Sequence, residues 1–381
     1  MLDQQKLHEL TSKLINFKSI SPNQDGCIDY LQQVLTDSGF TISRVDRNNT
    51  SNLIARIGNT GPLFAYAGHI DVVPTGDISQ WNFDPFTLSE QDNKLFGRGI
   101  ADMKGSVAAF IIAVTKFIKQ DFFNPDNGQI AILITSDEEA SATDGTPVIV
   151  EYLKSQNIII DYCLIGEPSS ANLLGDSIKV GRRGSLTGFI EVQGKQGHIA
   201  YPELCINPIH TFAPALNELI LTKWDNGNNI FPPTSLQIAN INAGLGVTNV
   251  IANTLTSSFN FRYNNLYNAN DLKQKVVAIL NKHDIKYTIK WVNSAKPFYT
   301  DPGKLLKVVT KSIKQQLGLT PQQKTDGGTS DGRFLIEICN EIIEFGLSNK
   351  YIHQINEHIN TKDLYDLAKT YYLILNKIFN D

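Results

Sequence analysis

The chain has 381 residues, of which 41% are hydrophobic and 19% are charged, and its formal net charge is −4. This length favours two domains over one, and the slight excess of acidic residues excludes the basic surface that binding to nucleic acid requires. The N-terminal segment "MLDQQKLHELTSKLINF" lacks the apolar core of a signal peptide, and no apolar run approaches the roughly 20 residues that span a bilayer, so we expect a soluble, cytoplasmic protein without membrane partners.

The first 180 residues alternate between helical and strand patterns. Apolar spacing predicts amphipathic helices over residues 4–17 and 26–38, and apolar runs predict strands at "FTISRVD", "NLIARIG" and "PLFAYAGHI". A mostly buried helix is expected over Met103–Lys119, followed by the strands "QIAILITSDEE" and "DYCLIGEPS". Alternating βα units with apolar strands indicate an α/β domain with helices on both faces of its sheet.

The pattern changes near Lys179–Ser185. The strand "LTGFIEVQG" is followed by a helix over Asn207–Thr222, by the strands "TSLQIANINA" and "NTLTSSFNFRY", by a helix over Ala269–Lys282 and by the strand "KYTIKWV". This β-α-β-β-α-β order is typical of a small ferredoxin-like α+β domain.

The α/β pattern then resumes to the end of the chain. We expect a helix near Gly303–Leu317, a glycine-rich loop "TDGGTSDGR", a strand "EIIEFG" and a last helix near Thr361–Phe379. The simplest organisation is one domain formed by residues 1–180 and 296–381, with a smaller domain formed by residues 181–295 inserted into it.

Several of the predicted strands end in residues that can bind metals. Ligands of open α/β sheets bind outside the carboxyl ends of the strands, and the polar residues collected there are His69, Asp71, Asp102, Glu138, Glu139, Glu167 and His353. Two histidines and several carboxylates suit a borderline divalent metal such as zinc. They suffice for two ions if one carboxylate bridges, and such a pair would polarise a carbonyl and activate a water.

Glu138 and Glu139 are adjacent, and neighbours on a strand point to opposite sides. One of them is therefore expected to bind metal while the other reaches the water as a general base.

Each of these residues also has a plain structural explanation. A single histidine at a strand end is more often a surface or core histidine, and "SDEE" alone is usually a solvated loop. Asp102 could cap the helix that begins near Met103, and Glu167 could belong to a simple turn because Pro168 follows it. The joint occurrence, with each residue at the end of its own apolar run, favours a metal centre.

The motifs occur in a recognisable order. "GHIDVVPTGD", "LFGRGIADMKGS", "SDEEA", "IGEPSS", "GRRGS", "QGHIAYP", "TDGGTSDGR" and "IHQINE" resemble the motifs of the succinyl-diaminopimelate desuccinylases, a family of the di-zinc aminoacylase and carboxypeptidase superfamily. The resemblance runs over nearly the whole chain. It implies an α/β fold with a di-zinc exopeptidase-like catalytic domain and an inserted ferredoxin-like dimerisation (lid) domain.

The resemblance also implies a ligand set for two zinc ions per subunit. His69 and Glu167 would hold one ion, Glu139 and His353 would hold the other, and Asp102 would bridge them. Cobalt could replace zinc in one site.

Three further residues would take part in catalysis by the same resemblance. Asp71 would hydrogen-bond the far nitrogen of His69 and fix its tautomer. Glu138 would be the general base. His198 would reach from one subunit of a homodimer into the active site of the partner and stabilise the oxyanion, although without the resemblance it reads as a surface loop histidine.

The implied reaction is hydrolysis of N-succinyl-L,L-2,6-diaminopimelate to succinate and L,L-2,6-diaminopimelate, in diaminopimelate and lysine biosynthesis. Arginine suits the carboxylates of this substrate, and Arg183 could replace Arg182 in that role. The matching substrate positions are Arg182, Tyr201, Asn249, Arg262, Gly328, Thr329 and Asn349.

Two other interpretations remain. An acetylornithine deacetylase or metallo-dipeptidase of the same superfamily is the main alternative, although "GRRGS" and the paired arginines argue against it. A non-catalytic binding module on the same scaffold would be expected to have lost a ligand or the base, and all of them are present. Ile70 stands where threonine is usual in the family, and this apolar residue removes no ligand.

Overall fold

A computed structural model describes residues 2–119 and 123–380 of the chain. The chain divides into two compact units. The large unit comprises Met1–Gly181, Tyr299–Lys324 and Ser330–Asp381, and the small unit comprises Arg182–Phe298 and Thr325–Thr329.

The helices of the described residues are numbered in chain order. Helices α1 to α9 are Gln4–Asn16, Cys27–Asp37, Gly105–Lys119, Thr146–Ser155, Pro208–Leu221, Ala269–Lys282, Lys304–Leu317, Gly332–Leu335 and Thr361–Asn380. No helix within the described ranges combines the length and the apolar character that crossing a membrane demands.

The strands are numbered in the same way. Strands β1 to β10 are Thr41–Arg44, Asn52–Ile57, Leu63–His69, Ser89–Gln91, Lys94–Phe96, Gln129–Thr135, Ile160–Ile165, Ser177–Lys179, Gly181–Arg182 and Gly184–Gln193. Strands β11 to β19 are Gly197–His198, Ser235–Ala243, Val250–Ile251, Thr254–Tyr263, Tyr287–Ala295, Phe298–Tyr299, Gln322–Lys324, Cys339–Glu344 and His358–Asn360.

An eight-stranded sheet organises the large unit. Its strand order is β1-β2-β6-β3-β7-β18-β8-β17. The central strands β6, β3, β7 and β18 are parallel neighbours, and β2 is antiparallel to β6. Because the central strands are parallel, their carboxyl ends meet at one edge of the sheet, which is where an open α/β sheet binds its ligands.

Apolar strands and helices form the core of the large unit. Every residue of β3 is buried, as the run "LFAYAGH" predicts. The ring of Tyr66 stacks on that of Phe110 of α3 at 4.1 Å between centroids, and the hydroxyl of Tyr371 of α9 donates to the carbonyl oxygen of Phe345 at 2.6 Å. Burial of a side chain such as Phe110 contributes roughly 2–3 kcal/mol, so α3 and α9 are held firmly on the sheet.

The small unit is an antiparallel sheet with its own core. The strand order is β12-β14-β10-β15, and every second residue along β14 is buried, so one face of this strand packs on the core. Phe212 of α5 and Leu272 of α6 belong to the same buried cluster as Phe259 and Phe261 of β14. The chain order β10, α5, β12, β14, α6, β15 is the predicted β-α-β-β-α-β order.

The predicted helices are confirmed within two residues at most of their ends. Several short elements had no prediction, among them helix α4 and the β4–β5 hairpin. Helix α3 begins at Gly105 rather than at Met103, because the backbone at Asp102 and Met103 is not helical. Asp102 is therefore not the cap of this helix.

Candidate active site

The strand ends of the large unit bring two histidines to one carboxylate. Oδ1 of Asp102 lies 3.2 Å from Nε2 of His69, and Oδ2 lies 3.3 Å from Nε2 of His353. His69 is the last residue of β3, whereas Asp102 belongs to the turn before α3. One carboxylate therefore has each of its oxygens directed at a different imidazole, as a bridging ligand requires.

Each histidine has a second carboxylate beside it. Oε1 of Glu167, which follows β7, is 3.7 Å from Nε2 of His69. Oε1 of Glu139, which follows β6, is 2.9 Å from Nε2 of His353. The five residues thus form two groups that share Asp102, and each group contains one imidazole and two carboxylates.

The donor set of this site fits two divalent cations. Imidazole nitrogen and carboxylate oxygen are the ligands that zinc takes in catalytic sites. Potential ligand atoms of His69, Asp102 and Glu139 lie within 4.8 Å of one another, and the same holds for His69, Glu138 and Glu167. The site is largely buried, so the negative charge of its carboxylates requires compensation by protons or by metal ions.

The pKa values of the site reflect this crowding. Burial raises the pKa of Glu138 to about 8, with further contributions from Asp331 and Glu139. Burial and the nearby Asp102 carboxylate raise the pKa of Glu167 well above its ordinary value. Hydrogen bonds to Asp102 and Glu139 raise the pKa of His353 to about 10. Ligands must lose such protons to bind a metal, so metal binding here is coupled to proton release.

Asp71 contacts His69 in a different way from the prediction. The acceptor closest to Nδ1 of His69 is the main-chain oxygen of Asp71 at 3.0 Å, while the carboxylate oxygen Oδ1 is 3.6 Å away. The Asp71 carboxylate instead accepts the amides of Glu138 and Glu139, at 3.2 and 3.1 Å, and the hydroxyl of Ser21. Asp71 therefore links the end of β3 to the turn that carries both glutamates.

Glu138 and Glu139 lie in a turn rather than on a strand. Strand β6 ends at Thr135, so the argument from alternation along a strand was wrong for this pair. The carboxylate of Asp137 closes the turn by accepting three backbone amides. These amides belong to Ala142, Thr143 and Asp144, at 3.2, 3.0 and 3.1 Å. Asp137 is thus occupied by the backbone, while the two residues after it face the site.

Sequence reasoning missed three charged residues around the site. Arg98 and Glu357 form a buried ion pair next to Asp102, and buried Asp331 accepts the hydroxyl of Thr146 at 2.6 Å. A signal was present, because Arg98 and Glu357 stand beside predicted ligands in "LFGRGIADMKGS" and "HQINE".

The small unit brings three of the predicted site residues together. The backbone amide of Ile199 donates to the carbonyl oxygen of Asn249 at 3.1 Å, which places His198 next to Asn249. The His198 ring lies 5.8 Å from the ring of Tyr201. Nδ1 of His198 accepts the amide of Ala200 at 3.1 Å, so the neutral ring carries its proton on Nε2. His198, Tyr201 and Asn249 are all exposed.

The remaining predicted substrate residues lie in two places. Nη1 of Arg182 is 3.4 Å from the carbonyl oxygens of Asp326 and Gly328. Arg262 lies opposite Ser185 and Ser235 in the sheet. Thr329 follows Gly328 in the small unit, whereas the exposed Asn349 belongs to the large unit. An added side chain at Gly328 would meet nothing within 4 Å, so packing does not require glycine there.

Arg183, the alternative to Arg182, is half-buried and lies 3.5 Å from the hydroxyl of Ser235 through Nη1. Burial lowers its pKa from the ordinary arginine value. Arg182 is the more buried of the two.

Residues 65–377 match the sequence profile of the family described as "Peptidase family M20/M25/M40". This chain belongs to that family.

Two curated relatives of this chain are each named succinyl-diaminopimelate desuccinylase. The protein from Methylobacillus flagellatus is 49% identical over 368 residues, which are 96% of this chain and 97% of that protein. The protein from Nitrosospira multiformis is 48% identical over 370 residues, which are 97% of each. The predicted resemblance to the desuccinylases is thus confirmed.

Solved M20 structures share the fold. A metallo-carboxypeptidase from Sulfolobus solfataricus matches with a TM-score of 0.82 at 17% identity, over 98% of this chain and 99% of that one. A dinuclear metal-binding peptidase from Bacillus subtilis matches with a TM-score of 0.72 at 17% identity, over 98% of each chain. These likenesses confirm the predicted fold class, an α/β domain with an inserted α+β domain. As a member of the M20/M25/M40 family, the chain is a metal-dependent hydrolase.

Proposed function

We propose that the chain is a two-zinc amidohydrolase that hydrolyses N-succinyl-L,L-2,6-diaminopimelate to succinate and L,L-2,6-diaminopimelate. The reaction adds water across the succinyl amide, releasing a carboxylate and an amine. The proposal is carried by two findings taken together. Two relatives are 48–49% identical to this chain over nearly its whole length, and a complete set of potential ligands surrounds Asp102. The reaction would serve diaminopimelate and lysine biosynthesis, and we place it in the cytoplasm.

The five residues around Asp102 would hold the two ions of each subunit. His69 and Glu167 would bind one ion, His353 and Glu139 would bind the other, and Asp102 would bind both. Bound zinc supplies Lewis acidity for the amide carbonyl and for the attacking water. Zinc is favoured by the nitrogen and oxygen donors, and cobalt could serve in one site.

Glu138 would move the proton of the reaction. Its carboxylate lies in the same group as His69 and Glu167 but is not required as a ligand once Glu139 takes that role. Burial raises the pKa of this carboxyl, and a carboxylate beside the site is suited to accept a proton from water and then donate it to the leaving amine nitrogen. The Asp71 carboxylate would hold Glu138 in place through its backbone amide.

The small unit would complete the site from a partner subunit. We assign residues 1–180 and 296–381 to the catalytic domain and residues 181–295 to a dimerisation and lid domain. His198 would act across the homodimer interface on the oxyanion, and its exposed ring, with the proton on Nε2, is suited to donate to an oxyanion.

Substrate carboxylates would be bound by arginines. Arg182 and Arg262 are the proposed partners because the planar guanidinium pairs with a carboxylate through two hydrogen bonds. The other proposed contacts are Tyr201, Asn249, Gly328, Thr329 and Asn349.

The test is hydrolysis of N-succinyl-L,L-2,6-diaminopimelate by the purified protein, before and after chelation and again after zinc is restored. We expect activity that is lost on chelation and regained with zinc. N-acetylornithine and a dipeptide serve as competing substrates in parallel assays. Preference for either of them would keep the metal-dependent hydrolase and overturn the assignment of the succinyl substrate.

A further inference from the structure

A buried ion pair next to the metal centre has no part in the proposed chemistry. Arg98 is 2% exposed and Glu357 is 1% exposed, and Nη1 of Arg98 lies 2.9 Å from Oε2 of Glu357. The two residues are 259 positions apart in the chain. Replacing a buried ion pair by apolar side chains is often neutral or stabilising, so such a pair is weak evidence for a contribution to stability.

The carboxylate of Glu357 gathers the backbone that carries Asp102. Oε2 accepts the amide of Gly99 at 3.0 Å, and Oε1 accepts the amides of Ala101 and Asp102 at 2.9 and 3.3 Å. With the guanidinium of Arg98, this single carboxylate has four donors from one short segment. Glu357 therefore holds the backbone amide of Asp102, while the carboxylate oxygens of Asp102 face the two histidines.

Arg98 extends the same network to two other loops. Nη1 also donates to the carbonyl oxygen of Gln354 at 3.1 Å, and Nη2 donates to that of Pro74 at 3.3 Å. Gln354 follows His353 directly, and Pro74 lies in the loop after β3 and His69. The guanidinium carbon lies 5.0 Å from the ring centre of Trp81, which covers the group. Three segments that carry or adjoin proposed ligands thus meet at one guanidinium.

The loop of His353 requires such support. His353 and Asn356 both have left-handed backbone conformations, with φ of 61° and 60°. Residues other than glycine adopt this conformation at a cost and keep it only where the surroundings enforce it. The hydrogen bond from Nη1 of Arg98 to the carbonyl oxygen of Gln354 holds the segment between these two residues.

We infer that Arg98 and Glu357 are positioning residues that fix the distance between Asp102 and His353, and thereby set the affinity of the site formed by Asp102, His353 and Glu139 for its metal ion. The inference rests on the proposed two-metal centre. Both ions share Asp102, so both should bind more weakly when the pair is altered. The ion at His353 should weaken more, because Gln354 and Glu357 belong to the loop of His353, whereas His69 is the last residue of strand β3.

The test is calorimetric titration of the chelator-treated protein with zinc, read as two separate binding steps. In Glu357→Gln the amide nitrogen cannot accept two of the four hydrogen bonds. In Arg98→Lys the charge stays, but one ammonium cannot replace the fork that reaches Glu357, Gln354 and Pro74. We expect both variants to weaken binding of the ion at Asp102, His353 and Glu139 by about 10–100-fold, the range for partners that orient metal ligands. Binding of the ion at His69 and Glu167 should weaken much less.

Two control variants match these substitutions. Glu341→Gln alters a carboxylate of the same unit that accepts the amides of Lys304 and Leu305, at 3.0 and 2.9 Å, away from the site. Arg44→Lys alters a fork that pairs with Asp29 and Asp46 at the surface. Both controls should bind two ions like the unmodified chain.

Each outcome decides between clear alternatives. Two wild-type binding steps in Glu357→Gln and Arg98→Lys, or an equal weakening of both steps, would overturn the inference in favour of a purely structural role. A wild-type chain that binds fewer than two ions would instead refute the proposed function. Should Glu357→Gln not fold, Arg98→Lys, which keeps the buried positive charge, decides the matter.

Discussion

Glu138 lies beside His69 and Glu167 but is not one of the proposed ligands. Its pKa of about 8 results from burial and from nearby carboxylates, and its amide donates to Asp71. The substitution Glu138→Gln removes the basic oxygen but keeps the size of the side chain and the backbone contact. We expect kcat to fall by about 10²–10⁴, while two equivalents of zinc still bind. Steady-state kinetics and metal titration of the same preparation measure both quantities.

The control for this prediction is Glu151→Gln. Glu151 is exposed and pairs with Arg47 at the surface of the large unit. The kcat of the Glu151→Gln enzyme should therefore remain at the wild-type level. A Glu138→Gln enzyme with normal turnover would show that another group accepts the proton.

The residues of the candidate site differ in how well a sequence predicts them. His69, Asp102 and Glu167 follow apolar or glycine-rich runs, and parallel strands bring such positions to one edge, so their proximity was predictable. The role of Glu357 was not, because it depends on four hydrogen bonds to a segment more than 250 positions away. The sequence pattern also does not reveal which oxygen of Asp71 lies beside Nδ1 of His69. In the structure it is the main-chain oxygen and not the carboxylate.

At the scale of elements, the loop between β7 and β8 is held by one carboxylate. Asp176 accepts the amides of Ala171, Asn172 and Leu173 at 2.8, 2.8 and 3.1 Å. Burial alone would raise the pKa of Asp176, but these hydrogen bonds dominate and lower it below its ordinary value of 3.8. This loop follows the proposed ligand Glu167 in the chain.

The substitution Asp176→Asn should lower the free energy of unfolding at about pH 7 by about 1 kcal/mol, a modest value because the carboxylate is partly exposed. A group with a lowered pKa in the folded state stabilises the fold above its unfolded pKa and loses that contribution as the pH falls through the folded pKa. The difference from the wild-type protein should therefore shrink as the pH is lowered towards about 3. Urea unfolding of both proteins at each pH measures this difference in the free energy of unfolding. Excess chelator is present to remove the contribution of bound metal.

Asp37→Asn is the matched control, since Asp37 is exposed and accepts a hydrogen bond from the side chain of Gln33 rather than from a run of backbone amides. Its effect should be close to zero at every pH. If the difference in the free energy of unfolding between Asp176→Asn and the wild-type protein stays constant down to acidic pH, the loss of stability is not due to the ionised carboxylate.

The positions of helices and strands could be predicted from the sequence where the apolar pattern is long. Helices α1 and α9 bury regular apolar stripes, and the prediction of their positions is confirmed. Helix α4 has only ten residues after Gly145, and its pattern is too short to separate from a loop. Strand β6 ends at Thr135 because Asp137 binds the backbone of the next turn, a contact that periodicity does not reveal.

At the scale of the whole molecule, the proposed residues are divided between two units. Glu138 and the proposed ligands belong to the large unit, whereas His198 belongs to the small unit. If His198 serves the active site of the partner, a dimer contains two sites, and each takes residues from both subunits. Two variants with lesions in different units can then complement each other within one mixed dimer.

We therefore predict that mixing Glu138→Gln with His198→Ala restores activity that neither variant has alone. In a mixed dimer, one of the two sites has both an intact Glu138 and an intact His198. Random exchange between the subunits of symmetric dimers should give about a quarter of the wild-type activity. The measurement is the rate of succinyl amide hydrolysis after the two variants are unfolded and refolded together, with the fraction of mixed dimers determined by native mass spectrometry.

Mixing Glu138→Gln with His353→Ala is the control, because both substitutions lie in the large unit. Every site of a mixed dimer then lacks one of the two residues, so no activity should return. Absence of recovery in the first mixture, with mixed dimers demonstrated, would mean that His198 acts within its own subunit or not at all. If activity returns with His198→Ala but not with His353→Ala, His198 acts in the site of the partner subunit. If His198 acted within its own subunit, both sites of the mixed dimer would carry a substitution and no activity would return.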